Sequence, residues 1–221
     1  MCGRFVLHTP ANQLSDRFGP FPGVELSPRY NITPSQPVAA VRADADGKRT
    51  LTLLTWGLIP PWAKGEKPDF RMINARAETA HERPAFRGPF ARRRCLIPAD
   101  GFYEWSDAGG GKRPFYIHGR DGNPLALAGL WEQWLGPDRV VDSCTILTTG
   151  ANSTVAPIHE RMPVILAPDA QAPWLDPTLT ETTALSHLLG PAPDGLLTAH
   201  PVSRRVNAPA NEGPDLIEPA D

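Results

Sequence analysis

Proline dominates the reading of this chain. Of 221 residues, 26 are proline, more than double the roughly 5% of an ordinary globular protein. Each proline fixes φ and removes a backbone donor, so long helices and central strands cannot run through it. The prolines are spread from Pro10 to Pro219. The expected architecture is therefore strand-rich and loop-rich, with short helices only. Hydrophobic residues make up 41% of the chain, enough to build a packed core.

The pattern along the chain agrees. Residues 11–18 predict a short helix stopped at Gly19-Pro20, and a Pro/Gly loop runs on to about residue 30. Strands are expected at Val38–Val41, Arg49–Trp56, Cys95–Pro98, Gly101–Trp105, Pro114–His118, Ala126–Trp131 and Arg139–Thr148. Val164–Leu166 and Thr198–Val202 complete the set. A loop is expected over 57–68 and a hairpin tip at Gly109–Gly111. Asn74–Arg94 is rich in alanine and arginine but holds Pro84 and Pro89, which predicts one or two short helices. Further helices are expected at Ala170–Leu175 and Glu181–Leu189, the second capped by Thr180. No repeat or change in composition marks a boundary. The expectation is one α+β domain over 1–221, mainly antiparallel strands in a curved or barrel-like sheet with peripheral short helices. A proline-rich tail from about 208 should lie over the surface.

Several function classes find no support. No apolar run reaches the roughly 18–20 residues of a membrane span, and Met1–Val6 has no basic stretch leading into an apolar one. Six histidines and three cysteines show no CxxC, HxH or HExxH spacing, so no metal is expected. No phosphate-cradling glycine motif appears, and no cofactor is expected. Cys2, Cys95 and Cys144 are an odd number, far apart. That argues against a disulfide framework and for a reducing, cytoplasmic location.

Charge is informative only locally. The formal net charge is −2, yet residues 71–94 hold seven arginines against Glu78 and Glu82, a local balance of +5. A near-neutral protein with one basic face can still guide a polyanion to that face. A solvated arginine-rich segment would look the same.

Cys2 is the sharpest chemical feature. Removal of Met1 would leave an α-amine and a thiol on adjacent carbons. Their unperturbed pKa values, about 7.7–8.0 and about 8.5, place both near nucleophilic form at neutral pH. Such a pair condenses with an aldehyde to an imine and then closes a thiazolidine ring. An internal cysteine cannot do this, because its nitrogen is an amide. A buried structural cysteine is the plainer alternative. Two other groups could join it. Glu104 lies among aromatics in Gly101-Phe102-Tyr103-Glu104-Trp105, a setting that raises a carboxyl pKa. His159 lies in His159-Glu160-Arg161-Met162-Pro163, beside a cation. Either could equally be structural.

Taken in order, seven segments carry a resemblance: MCGRF at 1–5, YNITP at 30–34, WGLIP at 56–60, NARAET at 74–79, CLIPADGFYEW at 95–105, HERMPVIL at 159–166 and HPVS at 200–203. The chain resembles the SRAP (SOS response-associated peptidase) family over nearly its whole length. The resemblance implies that Cys2 links to the ring-opened sugar of an abasic site in single-stranded DNA. It implies that Asn74 places Cys2, that Glu104 assists proton transfer, and that His159 acts on the sugar oxygen. It implies phosphate contacts from Arg4, Arg76 and Arg161, and an aromatic wedge at Trp62. A monomer is expected.

Two other readings stay open on the sequence. One is an N-terminal-nucleophile amidohydrolase or peptidase, which would draft Asn74 and His159 into an oxyanion hole and base, with removal of its own Met1 as one peptide cleavage open to it. The other is a non-covalent single-strand binder resting on arginines and tryptophans alone.

Overall fold

A computed structural model describes residues 2–20, 25–44, 46–64, 71–107 and 111–220. In chain order the strands are β1 (Phe5–Leu7), β2 (Arg29–Ile32), β3 (Pro37–Ala43), β4 (Arg49–Trp56), β5 (Asn74–Arg76), β6 (Arg94–Ala99), β7 (Gly101–Ser106), β8 (Arg113–Gly119), β9 (Leu125–Leu135), β10 (Val140–Gly150), β11 (Arg161–Pro163) and β12 (Leu197–Pro201). The helices are α1 (Ala11–Phe18), α2 (Pro84–Arg92), α3 (Pro168–Leu175) and α4 (Thr182–Ser186). None exceeds nine residues, as the proline content requires. Prolines open α2 and α3 at their first turns, where the missing N–H has no partner to lose.

The strands form two sheets, mostly antiparallel. The smaller runs β12-β8-β7-β1-β2. In the larger, β4, β3, β6, β9 and β10 pair in succession, and β10 pairs back with β4. Closure of this ring gives the expected barrel-like sheet and removes its edges. The β10–β4 and β10–β5 pairings are parallel.

One continuous stretch, β6 into β7, passes from the larger sheet to the smaller at Asp100. The buried Asp100 carboxylate accepts from the backbone N–H groups of His8 (2.5 Å) and Thr9 (2.9 Å) and from the Thr9 hydroxyl (2.5 Å). Gly101 follows because nothing larger fits. A β-carbon there would lie 2.5 Å from Tyr116 Cε2 and 2.6 Å from the Ile117 carbonyl oxygen. The corner sets the lie of β1, whose Phe5 and Val6 pair with Phe102 and Gly101. Tyr103 N–H donates to the Arg4 carbonyl at 2.9 Å. The N-terminal residues are thereby carried alongside Glu104.

Most expected strands and the helix at 11–18 stand where the alternation placed them. The segment 74–94 holds a short helix as expected, at α2, and opens with a strand at Asn74–Arg76, because β10 offers it a parallel edge at Ile146–Thr148. Two expectations need correction. The strand expected at Val164–Leu166 falls earlier, at β11. The Val164 and Leu166 N–H groups instead donate singly to Leu147 and Ala126 carbonyls. Helix α4 is shorter than expected, and its N-cap is Glu181 without a side-chain cap. The chain beyond 208 is more firmly held than a surface tail. Tyr30 N–H donates to the Glu212 carboxylate at 2.8 Å, and Leu216 is fully buried. The hairpin tip expected at 109–111 and the loop over 57–68 lie partly outside the described residues.

Candidate active site

Cys2, Asn74, Glu104 and His159 come from four separate segments, and the fold gathers them. Asn74 stands at the start of β5. Its Nδ2 donates to the Cys2 carbonyl at 2.9 Å and to the Ile73 carbonyl at 2.8 Å. Glu104 stands in mid-β7, 2% exposed. Its carboxyl is pushed above the ordinary carboxylate range by burial, with the nearby His159 pulling the other way. His159 precedes β11. Its Nδ1 lies 2.9 Å from the Arg161 backbone nitrogen and 3.1 Å from the Arg161 carbonyl oxygen, so the backbone fixes this edge of the ring in either tautomer. Glu104 and His159 line one cavity of about 330 Å³, together with Trp105, Lys112 and Asn207.

Size alone does not mark the site. A larger hollow, about 560 Å³, lies between the β3–β4 turn and the end of α3. It holds none of the candidate groups.

Cys2 departs from the simple expectation of a thiol near its ordinary pKa. It is fully buried. Burial first, and the Glu104 charge second, push the thiol well above its usual value. The sulfur is held as a thiol, and any nucleophilic step must include removal of its proton. While Met1 is attached, the Cys2 nitrogen is an amide and cannot form an imine. Cys95 and Cys144 are also buried, and burial pushes the Cys95 thiol up to about 12.

The three arginines differ. Arg76 is exposed, and its guanidinium makes no hydrogen bond among the described residues. Arg161 is held bidentately by Glu78 (2.7 and 2.9 Å) and donates to the Thr148 carbonyl at 2.6 Å. Arg161 in turn holds the Glu78 carboxyl below the usual range. Arg4 is half-buried. Its Nη1 donates to Asn31 Oδ1 and to the Val206 carbonyl, both at 2.6 Å, and its guanidinium carbon lies 5.9 Å from the Trp105 ring centroid. Trp62 is 57% exposed, on the loop after β4, and does not line the cavity.

Sequence reasoning passed over Lys112, Asn207 and the Glu78 partnership. Trp105 and Lys112 had a signal, since both lie on the hairpin that carries Glu104. Asn207 had none, because 102 residues separate it from Trp105, whose indole Nε1–H it accepts at 2.8 Å.

Among the described residues, no group of three or more histidines, cysteines or carboxylates could hold a metal. Among the described residues, no helix is long and apolar enough to cross a membrane.

Known proteins resemble this chain over nearly its whole length. The family described as SOS response associated peptidase (SRAP) matches residues 1–209. The abasic site processing protein YoqW of Bacillus subtilis (strain 168) is 44% identical over 223 residues, covering 99% of both chains. Abasic site processing protein YedK of Escherichia coli (strain K12) is 31% identical, covering 99% of this chain and all of its own. Abasic site processing protein HMCES of Gallus gallus is 34% identical, covering 88% of this chain and 67% of its own. A crystal structure of a protein from Bacteroides thetaiotaomicron superposes with a TM-score of 0.88 at 27% identity, over 99% of this chain and all of that one. With a family match spanning the four gathered residues and relatives aligned end to end, the chain belongs to the SRAP family.

Proposed function

We propose that this chain captures abasic sites in single-stranded DNA as a covalent thiazolidine on Cys2, shielding the lesion. The observation that carries the reading is the convergence of Cys2, Asn74, Glu104 and His159 beside one cavity. Relatives whose names record abasic site processing support the substrate.

The chemistry starts with loss of Met1, which frees the Cys2 nitrogen. An abasic deoxyribose is mostly a closed hemiacetal. Opening it moves a proton from the C1′ hydroxyl and delivers one to O4′. Glu104 suits the delivery, because its raised pKa keeps the acid form available above the ordinary carboxylate range. His159 suits the removal in the tautomer whose Nδ1–H donates to the Arg161 carbonyl at 3.1 Å, which leaves the Nε2 lone pair free to accept the proton. Positioned proton transfer of this kind is worth about 10²–10⁴-fold. The Cys2 amine then adds to C1′, and water leaves to give the imine. The Cys2 sulfur adds to C1′ while its proton passes to nitrogen. The Glu104 carboxylate formed earlier can relay that proton, which matters because the thiol is raised rather than poised as thiolate. The sum is two bonds to C1′ made, two C–O bonds broken and one water released.

DNA is held without sequence preference. Exposed Arg76 is ready for a phosphate, whereas Arg4 and Arg161 must exchange protein partners to contact one. Trp62 is exposed enough to stack on a neighbouring base.

The test is a denaturing gel of the processed protein with abasic and intact single strands. The account expects a denaturation-resistant species with the abasic strand only, lost in Cys2→Ala. Equal non-covalent binding of both strands, with no such species, would instead favour a plain single-strand binder.

A further inference from the structure

Lys112 and Asn207 line the same cavity as the proton-transfer pair, and neither has a role in the reading above. Trp105 connects them to it. An indole Nε1–H can only donate, so the 2.8 Å contact obliges Asn207 to present its Oδ1. The amide nitrogen is then left with two N–H groups. They meet no acceptor among the described residues. Lys112 is exposed, and no carboxylate pairs with it among the described residues. Among the described residues that line the cavity, it alone bears a fixed positive charge. The lining of one cavity thus combines an ammonium, an amide donor and a carboxyl.

That distribution fits a sugar with a phosphate attached. A deoxyribose seated at Glu104 and His159 brings a phosphate within a few bonds of its ring. Near an ionising Glu104 such an anion is repelled unless donors compensate. Inert cavity walls would give it no place. The fold also fixes Asn207 firmly. Val206, fully buried, has its carbonyl clamped by Arg4 at 2.6 Å, and Asn31 Nδ2 donates to the Ala208 and Asn211 carbonyls at 3.1 and 2.8 Å. A backbone held on both sides positions the amide rather than leaving it to wander.

We infer that Lys112 and Asn207 form a phosphate subsite that seats the phosphate adjoining the abasic sugar. This rests on the proposed capture reaction, and it assigns Arg4 a second duty as the clamp behind the subsite.

The test uses the processed full-length chain and two small aldehyde sugars, 2-deoxyribose and 2-deoxyribose 5-phosphate. Intact mass follows adduct formation at increasing sugar concentration. The readout is the ratio of the two half-saturation concentrations. The wild type should favour the phosphorylated sugar by about three- to tenfold, the range for exposed to partly shielded charge-assisted contacts. Lys112→Met should bring the ratio close to unity. Asn207→Asp keeps an acceptor for the Trp105 indole but replaces the donor by a negative charge, so it should do the same. Lys48→Met, on the β3–β4 turn, should leave the ratio as in the wild type. Retention of the wild-type ratio in either Lys112→Met or Asn207→Asp overturns the subsite. So does equal use of the two sugars by the wild type, although capture itself would then stand. Failure of the wild type to label with either sugar or with an abasic strand would defeat the capture reading instead.

Discussion

Asn74→Ala is the substitution whose consequences the structure specifies most closely. The Asn74 amide makes two donations, to the Cys2 carbonyl at 2.9 Å and to the Ile73 carbonyl at 2.8 Å. A neutral hydrogen bond contributes about 0.5–1.5 kcal/mol net, so losing both should lower stability by about 1–3 kcal/mol. Of the two, only the bond to Cys2 bears on the reacting residue. If that bond fixes Cys2, its loss should slow capture by about tenfold for each 1.4 kcal/mol of positioning energy. Asn74→Asp separates positioning from bulk. An ionised carboxylate would face two carbonyl oxygens with nothing to donate, so at neutral pH it should be worse than alanine. Burial between acceptors raises that new carboxyl's pKa, and its protonated form can donate once. Lowering the pH should therefore narrow the gap between Asn74→Asp and the wild type. Single-turnover formation of the adduct, read on denaturing gels across pH, measures the rates, and urea melts measure the stability. Wild-type rate and stability in Asn74→Ala would refute the positioning role.

Three more outcomes follow from named contacts. The Glu104 pKa is raised in the fold, so its acid form is lost as pH rises through that value; adduct formation should fall along the same limb, and Glu104→Gln should remove the limb. By the same linkage the wild type should lose stability relative to Glu104→Gln as pH rises from below the unfolded carboxyl value of about 4.3 through the folded one, which denaturant melts at several pH values would show. Glu78→Gln leaves Arg161 without its carboxylate partner; single-strand affinity measured by fluorescence anisotropy should rise up to about fivefold at low salt and the salt dependence should steepen. Gly101→Ala would force a β-carbon to 2.5 Å from the Tyr116 ring and 2.6 Å from backbone; overpacking of about 1–3 kcal/mol should lower the melting temperature and shift the β1–β7 register that carries Cys2.

Much of the fold could be read along the chain. The alternation at Arg49–Trp56 and the breaker Gly19-Pro20 bounded β4 and α1 because those signals are local. The strand at Asn74–Arg76 went unread because nothing local marks it, and its pairing depends on β10, far along the chain. The same distance hid the pairing of Arg161 with Glu78, since β5 and β11 meet only through β10. Cys2 was legible as a residue and not as an environment. Its position suggests an open aminothiol, but β1 lies inside the smaller sheet and draws Cys2 into the core. Glu104 fared better, because its apolar run suggested burial, and burial in mid-β7 is what raises its pKa.

Carbon NMR of an abasic strand labelled at C1′ reaches the central claim most directly, since imine and thiazolidine have the same mass. After reaction with the processed protein, the labelled carbon should report a saturated centre bonded to nitrogen and sulfur, and borohydride should leave it unchanged. An unsaturated C=N signal that borohydride reduces, or a hemiacetal signal unaltered by the protein, would contradict the account.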